Sequence, residues 1–380
     1  MRKILSRLLL GLMTAMILNG CTTKSDQAYC DVHVGFLAFG DSGYIAEPPN
    51  VSGLTRVATA MKQYCRAQLC NFGVMAGDNI YPDGADGDPE SSADAERFQS
   101  VFVDPFEGLG AGDGQFRLYV ALGNHDWRTS RAGAFAQVAF HEKTPPFFMD
   151  GPFYSIRPPS GGSEVEIFVI DTEMLLSSVS LADVAIAEQG SVSLTGKRFI
   201  GGSANAIPQY EQEKNQLVWL EDALRRSQAK WKLVVAHHPL WESKGSKYEQ
   251  SVALRGILLP MLCRYADAYI AGHQHTLELH EDNCKTVFPE RDVKPLLHMV
   301  TGATAKVRSI EPPFMRWQAD RYPQLKTLWA QGSVWGFAHL EIENDEMKIR
   351  FFSSGLGEQD SDNFVESFSY KMTNREELYP

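Results

Sequence analysis

Six side chains that carry oxygen or nitrogen ligand atoms follow short apolar runs, each close to the point where a run ends. They are Asp41, Asp78, Asn124, His237, His273 and His275. An Asp after a strand is often only a turn or helix-capping residue, so any one of them would mean little. Together they predict one shared site, because functional groups in α/β folds collect beyond the carboxyl ends of the strands.

The chemistry of this set is that of a metal centre. Carboxylate and amide oxygens combined with imidazole nitrogens suit iron, manganese or zinc better than copper(I) or an iron–sulfur cluster. The set is too large for one tetrahedral zinc ion and fits two ions that share a bridging carboxylate. His273 and His275 are two residues apart, so on an extended segment their side chains would lie on the same side.

The elements that must position these side chains read as strands alternating with helices. Apolar runs typical of buried strands are residues 34–39, 72–76, 116–122, 231–236 and 268–271. Amphipathic stretches at 54–64 and 213–227 predict helices, which makes the fold class α/β. Further strands are expected at 165–170, 296–301, 336–342 and 347–352, surface loops at 82–95, 144–163 and 309–323, and an insertion near the site at 175–210.

The order of the motifs resembles that of a known superfamily. Along the chain they read Gly40-Asp41-Ser42-Gly43, Gly77-Asp78, Gly123-Asn124-His125-Asp126, Ala236-His237-His238-Pro239 and Gly272-His273-Gln274-His275. This pattern resembles the calcineurin-like metallophosphoesterases. Tyr81, three residues after Asp78, points within them to the purple acid phosphatases, where a Tyr at that spacing ligates Fe³⁺. The likeness covers roughly residues 34–355 and is similar to the tartrate-resistant, single-domain branch.

The resemblance implies a sandwich of two mixed β-sheets flanked by α-helices, and it implies roles for the candidate ligands. The ferric site would consist of Asp41, Asp78, Tyr81 and His275. The divalent site would consist of Asp78, Asn124, His237 and His273, with Asp78 as the bridge. The divalent ion would be Fe²⁺, Zn²⁺ or Mn²⁺.

Two further histidines are expected to serve catalysis rather than bind metal. The resemblance implies that His125 lies beside the phosphate and helps to protonate the leaving oxygen. His238 stands where the tartrate-resistant branch often has Tyr, so its role is open between the active site and shaping of the turn. Asp126 is expected to orient His125 or to shape its loop, and Asp171 to be a structural residue at a strand end.

The expected function is hydrolysis of phosphate monoesters by hydroxide bound at the dinuclear centre, which makes the chain an acid phosphatase. Two cations about 3.5–4 Å apart neutralise the charge of the phosphate and orient an in-line displacement. One alternative is a phosphodiesterase or nucleotidase on the same core, with loops 82–115 and 175–210 setting the choice. Another is a redox-active di-iron protein, and a third is a non-catalytic surface lipoprotein, against which the complete ligand set counts.

The N-terminus has the pattern of an export signal. Arg2, Lys3 and Arg7 precede an apolar run at 8–18, which is too short to span a bilayer. The end of the run, Leu18-Asn19-Gly20-Cys21, resembles a bacterial lipobox. We therefore expect a signal peptide at 1–20, a lipidated tether at 21–31 and a catalytic domain at 32–380, anchored on the periplasmic side of a Gram-negative membrane, most simply the outer one. The alternative is an ordinary signal peptide with an incidental Cys21.

Charge and cysteine content bear on partners and compartment. The formal charge of −11 becomes −14 once the three basic residues of the leader are removed, which argues against nucleic acid as a partner and leaves a small phosphate ester as the expected substrate. Oxidising surroundings permit disulfides. The spacing suits Cys65 with Cys70 and Cys263 with Cys284, although sequence alone does not determine connectivity or the oligomeric state.

Overall fold

The computed structural model describes residues 21–24, 27–30, 32–45, 53–88, 92–110, 114–178, 202–357 and 363–374. The expected signal peptide at 1–20 and most of the expected insertion at 175–210 lie outside the described residues. Strands β1 (Cys21–Lys24) and β2 (Gln27–Cys30) form a short antiparallel pair within the expected tether.

Seven strands form the first main sheet. In chain order they are β3 (His33–Phe39), β4 (Phe72–Met75), β5 (Leu118–Val120), β6 (Phe147–Phe148), β14 (Trp335–Glu343), β15 (Glu346–Ser354) and β16 (Val365–Thr373). Their order across the sheet is β16-β15-β14-β3-β4-β5-β6. The strands from β3 to β6 run parallel, and β14, β15 and β16 add an antiparallel half.

Seven other strands form the second main sheet. They are β7 (Tyr154–Ile156), β8 (Val165–Val169), β9 (Trp231–Val235), β10 (Ala268–Ala271), β11 (Leu277–Asp282), β12 (Leu296–Thr301) and β13 (Leu325–Gln331). The order is β13-β11-β12-β10-β9-β8-β7, with a parallel centre and antiparallel margins.

Helices flank the two sheets. They are α1 (Gly53–Cys65), α2 (Ser92–Phe98), α3 (Asp104–Phe106), α4 (Arg131–Lys143), α5 (Thr172–Ser177), α6 (Glu211–Lys214), α7 (Gln216–Arg226), α8 (Tyr248–Tyr265) and α9 (Pro312–Arg321). A π-helical turn at Gln99–Val103 joins α2 to α3. Among the described residues, none of the helices combines the length and apolar character needed to cross a membrane.

The alternation of side chains along each strand builds the core. Phe36 of the first sheet and Leu233 of the second belong to one apolar cluster between the sheets. Val234, the next residue along β9, points to the opposite face and packs in a second cluster with Leu220 and Leu258 of the covering helices. This period of two, with both faces buried, is why the parallel strands read as continuous apolar runs. The α/β sandwich predicted from the sequence is confirmed.

All three expected surface loops contain some regular structure, so those predictions were wrong in part, and the loop expected at 82–95 runs into the start of α2 at Ser92. Residues 309–323 contain α9, and 144–163 contain β6 and β7. Pro312 opens α9 at a position where its missing N–H costs no hydrogen bond. The proline-rich stretch is therefore a helix start rather than a loop.

Both disulfide pairings that the spacing suited are present. Cys65 is bonded to Cys70, and Cys263 is bonded to Cys284. The second bond also explains why Cys263, Cys284 and the nearby Asp282 are not a metal site, although their ligand atoms lie close together. Their sulfur atoms are bonded to each other and do not bind a metal ion.

Candidate metal centre

The carboxyl ends of the central strands of both sheets meet at one cleft. Asp41 follows β3, Asp78 follows β4, His237 follows β9 and His273 follows β10. Gly40 N donates to Thr301 O at 2.9 Å, a hydrogen bond that joins the end of β3 in the first sheet to the end of β12 in the second. The predicted site residues are therefore brought together from distant parts of the chain.

One half of the cluster is centred on the Tyr81 hydroxyl. Tyr81 Oη lies 2.9 Å from Asp41 Oδ1, 2.8 Å from Asp78 Oδ2 and 3.2 Å from His275 Nε2. His275 Nε2 is also 3.2 Å from Asp41 Oδ1. A hydroxyl has one proton and cannot donate to three acceptors. The lone pairs of these four groups converge as the ligands of a cation do.

The other half of the cluster is centred on His237. His237 Nε2 lies 3.2 Å from Asp78 Oδ1, 3.1 Å from His273 Nδ1 and 3.2 Å from Asn124 Oδ1. Asp78 thus directs one carboxylate oxygen to each half, which is the arrangement of a bridging ligand. If the Asn124 amide is turned over, its Nδ2 instead faces His237 Nε2 and His273 Nδ1.

The donor set fits two metal ions. The ligand atoms of Asp41, Asp78 and His237 all lie within 4.8 Å of one another, as do those of His237, His238 and His273. Hard oxygen and borderline imidazole ligands of this kind suit iron, manganese or zinc. Every residue predicted as a metal ligand lies in one of the two halves, and the structure leaves none of them elsewhere.

Electrostatics supports the same interpretation. Burial alone would raise the pKa of Asp78, but the charge of His237 and its hydrogen bond outweigh burial and hold that pKa well below its ordinary value. Burial alone would lower the pKa of His237, which the carboxylates raise to about 10. Burial, and then Asp41 and Asp78, raise the pKa of the Tyr81 hydroxyl. Protons on His237 and Tyr81 thus balance the carboxylates, and a cation would displace them.

The backbone at the ligands is held in an unusual conformation. Asp41, Asp78, His273 and His275 have φ angles of 56°, 55°, 69° and 52°. Non-glycine residues rarely occupy this left-handed region, and such strain is concentrated at functional sites. These four of the predicted ligands therefore share a backbone feature that the sequence does not reveal.

Two glycines of the motifs are needed for close approach. A Cβ on Gly123 would lie 2.4 Å from Asp78 Oδ1, and a Cβ on Gly272 would lie 2.6 Å from Asp41 Oδ2. Neither position has room for a side chain. The glycines before Asn124 and His273 let the carboxylates of the centre pack directly against the backbone of neighbouring strands.

His125 lies at the open side of the cluster. Its ring is 4.3 Å from that of Tyr81, and its Nε2 is 3.8 Å from Asp78 Oδ2. Nδ1 contacts Pro82 O and therefore carries the proton of the neutral ring, which leaves Nε2 facing the cluster. Burial lowers the pKa of His125, and the Asp78 charge partly opposes this effect. The position suits a group that transfers a proton at the mouth of the site.

His238 is buried behind the centre, not at its mouth. Its ring lies 4.4 Å from that of His273, and its Nδ1 is 2.8 Å from Thr172 Oγ1. Its Nε2 is 3.5 Å from Glu173 Oε2, and neither atom has a hydrogen-bond partner. Burial raises the pKa of Glu173 to about 7. Glu173 was missed from the sequence, where a lone Glu after Asp171-Thr172 carried no signal.

Asp126 and Asp171 have structural surroundings. Asp126 accepts hydrogen bonds from the backbone N–H groups of Asn79, Ile80 and Gly123. It therefore shapes the loops that carry Asp78 and Asn124, the second of the two roles expected for it. Asp171 caps α5 by accepting from Met174 N at 2.8 Å, as expected for a strand-end residue.

Three cationic side chains lie at the mouth of the site, and no sequence motif pointed to them. Lys306 Nζ lies 4.5 Å from the centroid of the Tyr81 ring. Arg308 Nη1 is 3.4 Å from His273 O, and Arg128 lies 3.7 Å from Asp83. Burial lowers the pKa of Lys306, and Arg308 lowers it further.

Comparison with known proteins identifies the family. The sequence profile of the calcineurin-like phosphoesterases matches residues 31–277, well over half of the chain. A tartrate-resistant acid phosphatase type 5 of Oryctolagus cuniculus is 24% identical over 327 residues, covering 84% of this chain and 87% of its own. Purple acid phosphatase 4 of Arabidopsis thaliana is 24% identical over 345 residues, covering 90% and 87%.

Solved structures share the fold at lower sequence identity. GAP50, described as the anchor in the inner membrane complex of Plasmodium, aligns with a TM-score of 0.61 at 17% identity, over 91% of this chain and 90% of that one. PhoD aligns with a TM-score of 0.56 at 12% identity, over 90% and 70%. With the profile match and the two-sheet sandwich, these findings show that the chain belongs to the calcineurin-like phosphoesterase family.

Proposed function

We propose that this protein is a metal-dependent acid phosphatase that hydrolyses phosphate monoesters at a dinuclear Fe³⁺–M²⁺ centre, where M is Fe, Zn or Mn. The observation that carries the proposal is the convergence of Asp41, Asp78 and His275 on the Tyr81 hydroxyl within 3.2 Å. The acid phosphatase relatives support the reaction class.

The ferric assignment follows from the properties of Tyr81. Burial and two carboxylates favour the protonated phenol, so only a strongly acidic cation would hold it as phenolate at low pH. Fe³⁺ is such a cation, and phenolate is a hard, charged ligand for it. Asp41, Asp78, Tyr81 and His275 would hold this ion, and Asp78, Asn124, His237 and His273 the divalent one. When bound, the pair would neutralise the charge of the phosphate oxygens and supply an activated water.

The protein's own residues would position the substrate and move one proton. Because Nδ1 of His125 is occupied by Pro82 O, a second proton would reside on Nε2, facing the cluster. From there it could pass to the leaving oxygen of the ester. Burial lowers the pKa of His125, so the protonated form is populated on the acidic side of neutrality, which agrees with an acid phosphatase.

The test is a comparison of substrates with purified, metal-loaded protein. We expect 4-nitrophenyl phosphate to be hydrolysed faster than bis(4-nitrophenyl) phosphate, and the monoester activity to be greater at about pH 5 than at pH 8 and lost on chelation. A clear preference for the diester would replace the proposal with a phosphodiesterase. Absence of hydrolysis of both esters by fully loaded protein would overturn it.

We also propose that the protein is exported and anchored through lipid on Cys21, on the grounds of the leader and lipobox pattern alone. Labelling of cells with a radioactive fatty acid tests this. Wild-type protein should carry label and fractionate with membranes, and Cys21→Ala should lose both properties. Unlabelled wild-type protein would leave an ordinary signal peptide as the account of the N-terminus.

A further inference from the structure

Two cationic side chains at the mouth of the centre, Lys306 and Arg308, form no ion pair with an acidic side chain of the described residues. Lys306 Nζ lies over two aromatic rings, 4.5 Å from the centroid of Tyr81 and 4.9 Å from that of Tyr44. The Arg308 guanidinium contacts the backbone oxygen of His273 at 3.4 Å. Within the part of the chain that the structure describes, neither cation is ion-paired with a carboxylate.

The segment that carries these cations is fixed to the ligand loops. Ala305 N donates to Asp41 O at 3.2 Å, and Arg308 N donates to His275 O at 2.9 Å. Ser333 N donates in turn to Arg308 O at 2.7 Å. The backbone of Lys306 and Arg308 is therefore positioned by the same loops that position two candidate metal ligands, and it is preorganised relative to the centre.

The charge at the mouth of the site is opposite in sign to the net charge of the chain. The protein carries a formal charge of −11, so acidic partners are abundant elsewhere. Cationic side chains beside a metal-binding site would repel the metal ions bound there. A bound anion would relieve this repulsion, and in the proposed function the scissile phosphate would occupy the metal-binding groups themselves. Lys306 lies over the Tyr81 ring and Arg308 lies beside His273 O, so these two cations would meet a different anionic group.

We propose that Lys306 and Arg308 bind a second anionic group of the substrate, so the preferred substrates are small phosphate esters whose leaving group carries a carboxylate or a further phosphate. The inference rests on the proposed function and names its substrate class. Specificity arises because a substrate without the second anion leaves both cations unpaired. Tyr44, which is 41% exposed and whose ring centroid lies 4.9 Å from Lys306 Nζ, would border the leaving group on that side.

The test uses ligands that cannot be hydrolysed, so it does not depend on turnover. Binding of 3-phosphonopropionate and propylphosphonate to the metal-loaded protein is measured by calorimetry at about pH 6, where the carboxylate is ionised. The two ligands differ only in that carboxylate. Wild type should favour 3-phosphonopropionate. This preference should fall about tenfold in Lys306→Met and in Arg308→Gln, the scale of a charge-assisted contact. Lys306→Arg should retain it.

A lysine far from the proposed site provides the control variant. Lys371→Met removes a lysine on the edge strand β16 that is paired with Glu346 and should retain the full preference. Metal content of every variant is measured, because Lys306 packs on Tyr81. A preference that survives in both cation variants, or equal weakening of both ligands, would overturn the inference. A protein that hydrolyses no ester but shows the preference would contradict only the proposed function.

Discussion

Among the regions of this molecule that bury imidazole rings, the metal centre and helix α4 have opposite surroundings. In the metal centre, His237 and His275 lie within about hydrogen-bond distance of carboxylate, amide or phenol oxygens, at 3.2 Å in each case. On α4, His141 lies 4.5 Å from the ring of Phe102 and 5.3 Å from that of Phe147. Neither nitrogen of His141 has a hydrogen-bond partner.

The pKa values of the histidines in the two regions differ because their surroundings differ. The carboxylates of the centre outweigh burial and raise the pKa of His237 to about 10, whereas burial alone lowers that of His141 to about 3. Burial is therefore not what marks a ligand. The mark is the convergence of several acceptors on one point, which only a proton or a metal ion can satisfy.

The largest effect is expected when the shared carboxylate is removed. Asp78→Ala should lower kcat/KM for a monoester about 10³-fold or more, because a metal centre supplies several kcal/mol of transition-state stabilisation and about 1.4 kcal/mol is a factor of ten. Both metal ions should be lost together, measured by elemental analysis. Asp222→Ala, on the surface of α7, is the control. Loss of only one ion would show that Asp78 does not bridge.

A smaller effect is expected for His125, which lies at the mouth of the metal centre. His125→Ala should lower kcat about 10²-fold, the usual contribution of a general acid, with metal content unchanged because the proposal gives His125 no ligand role. Steady-state rates and elemental analysis check both. Loss of metal in this variant would move His125 from proton transfer to metal binding.

His238 should affect metal affinity more than chemistry. Because it lies behind His273 and beside Glu173, His238→Gln should weaken metal binding about 10- to 100-fold, as for other residues that support a ligand. Excess metal should restore kcat. A loss of kcat that excess metal does not recover would instead support the catalytic role that the sequence suggested.

The smallest effect is expected for His141, whose ring packs among phenylalanine side chains. Since the folded pKa of His141 is about 3 and the unfolded value about 6.5, the unfolded state binds more protons between these values, and stability falls as pH falls through that window. We expect the free energy of unfolding to drop by about 1–2 kcal/mol between pH 7 and 5 from this residue. His141→Leu should remove that part of the drop, measured by urea unfolding, without changing activity. An identical pH dependence in the variant would contradict the assignment.

The sequence predicted the centre better than its surroundings. Asp41, Asp78, Asn124 and His237 are predictable because each ends an apolar run in a fixed order, and the carboxyl ends of the central strands collect the functional groups in α/β folds. Tyr81 is predictable from its spacing after Asp78. These features are local, and the fold only has to bring them together.

The surroundings depend on contacts between segments that no local pattern reports. Glu173, in the first turn of α5, comes within 3.5 Å of His238, and Lys306 reaches Tyr81 from more than 200 residues away in the chain. A lone Glu or Lys in sequence has no period or motif. The helix α9 was missed for a different reason, since its two opening prolines are equally typical of a loop.

The most direct test of the central claim is the visible absorption spectrum of the metal-loaded protein beside Tyr81→Phe. We predict a broad phenolate-to-iron band in the wild type that is absent from the variant, while iron remains bound through Asp41, Asp78 and His275. A spectrum without such a band in iron-loaded, active wild type would contradict the ferric site and the ligand role of Tyr81.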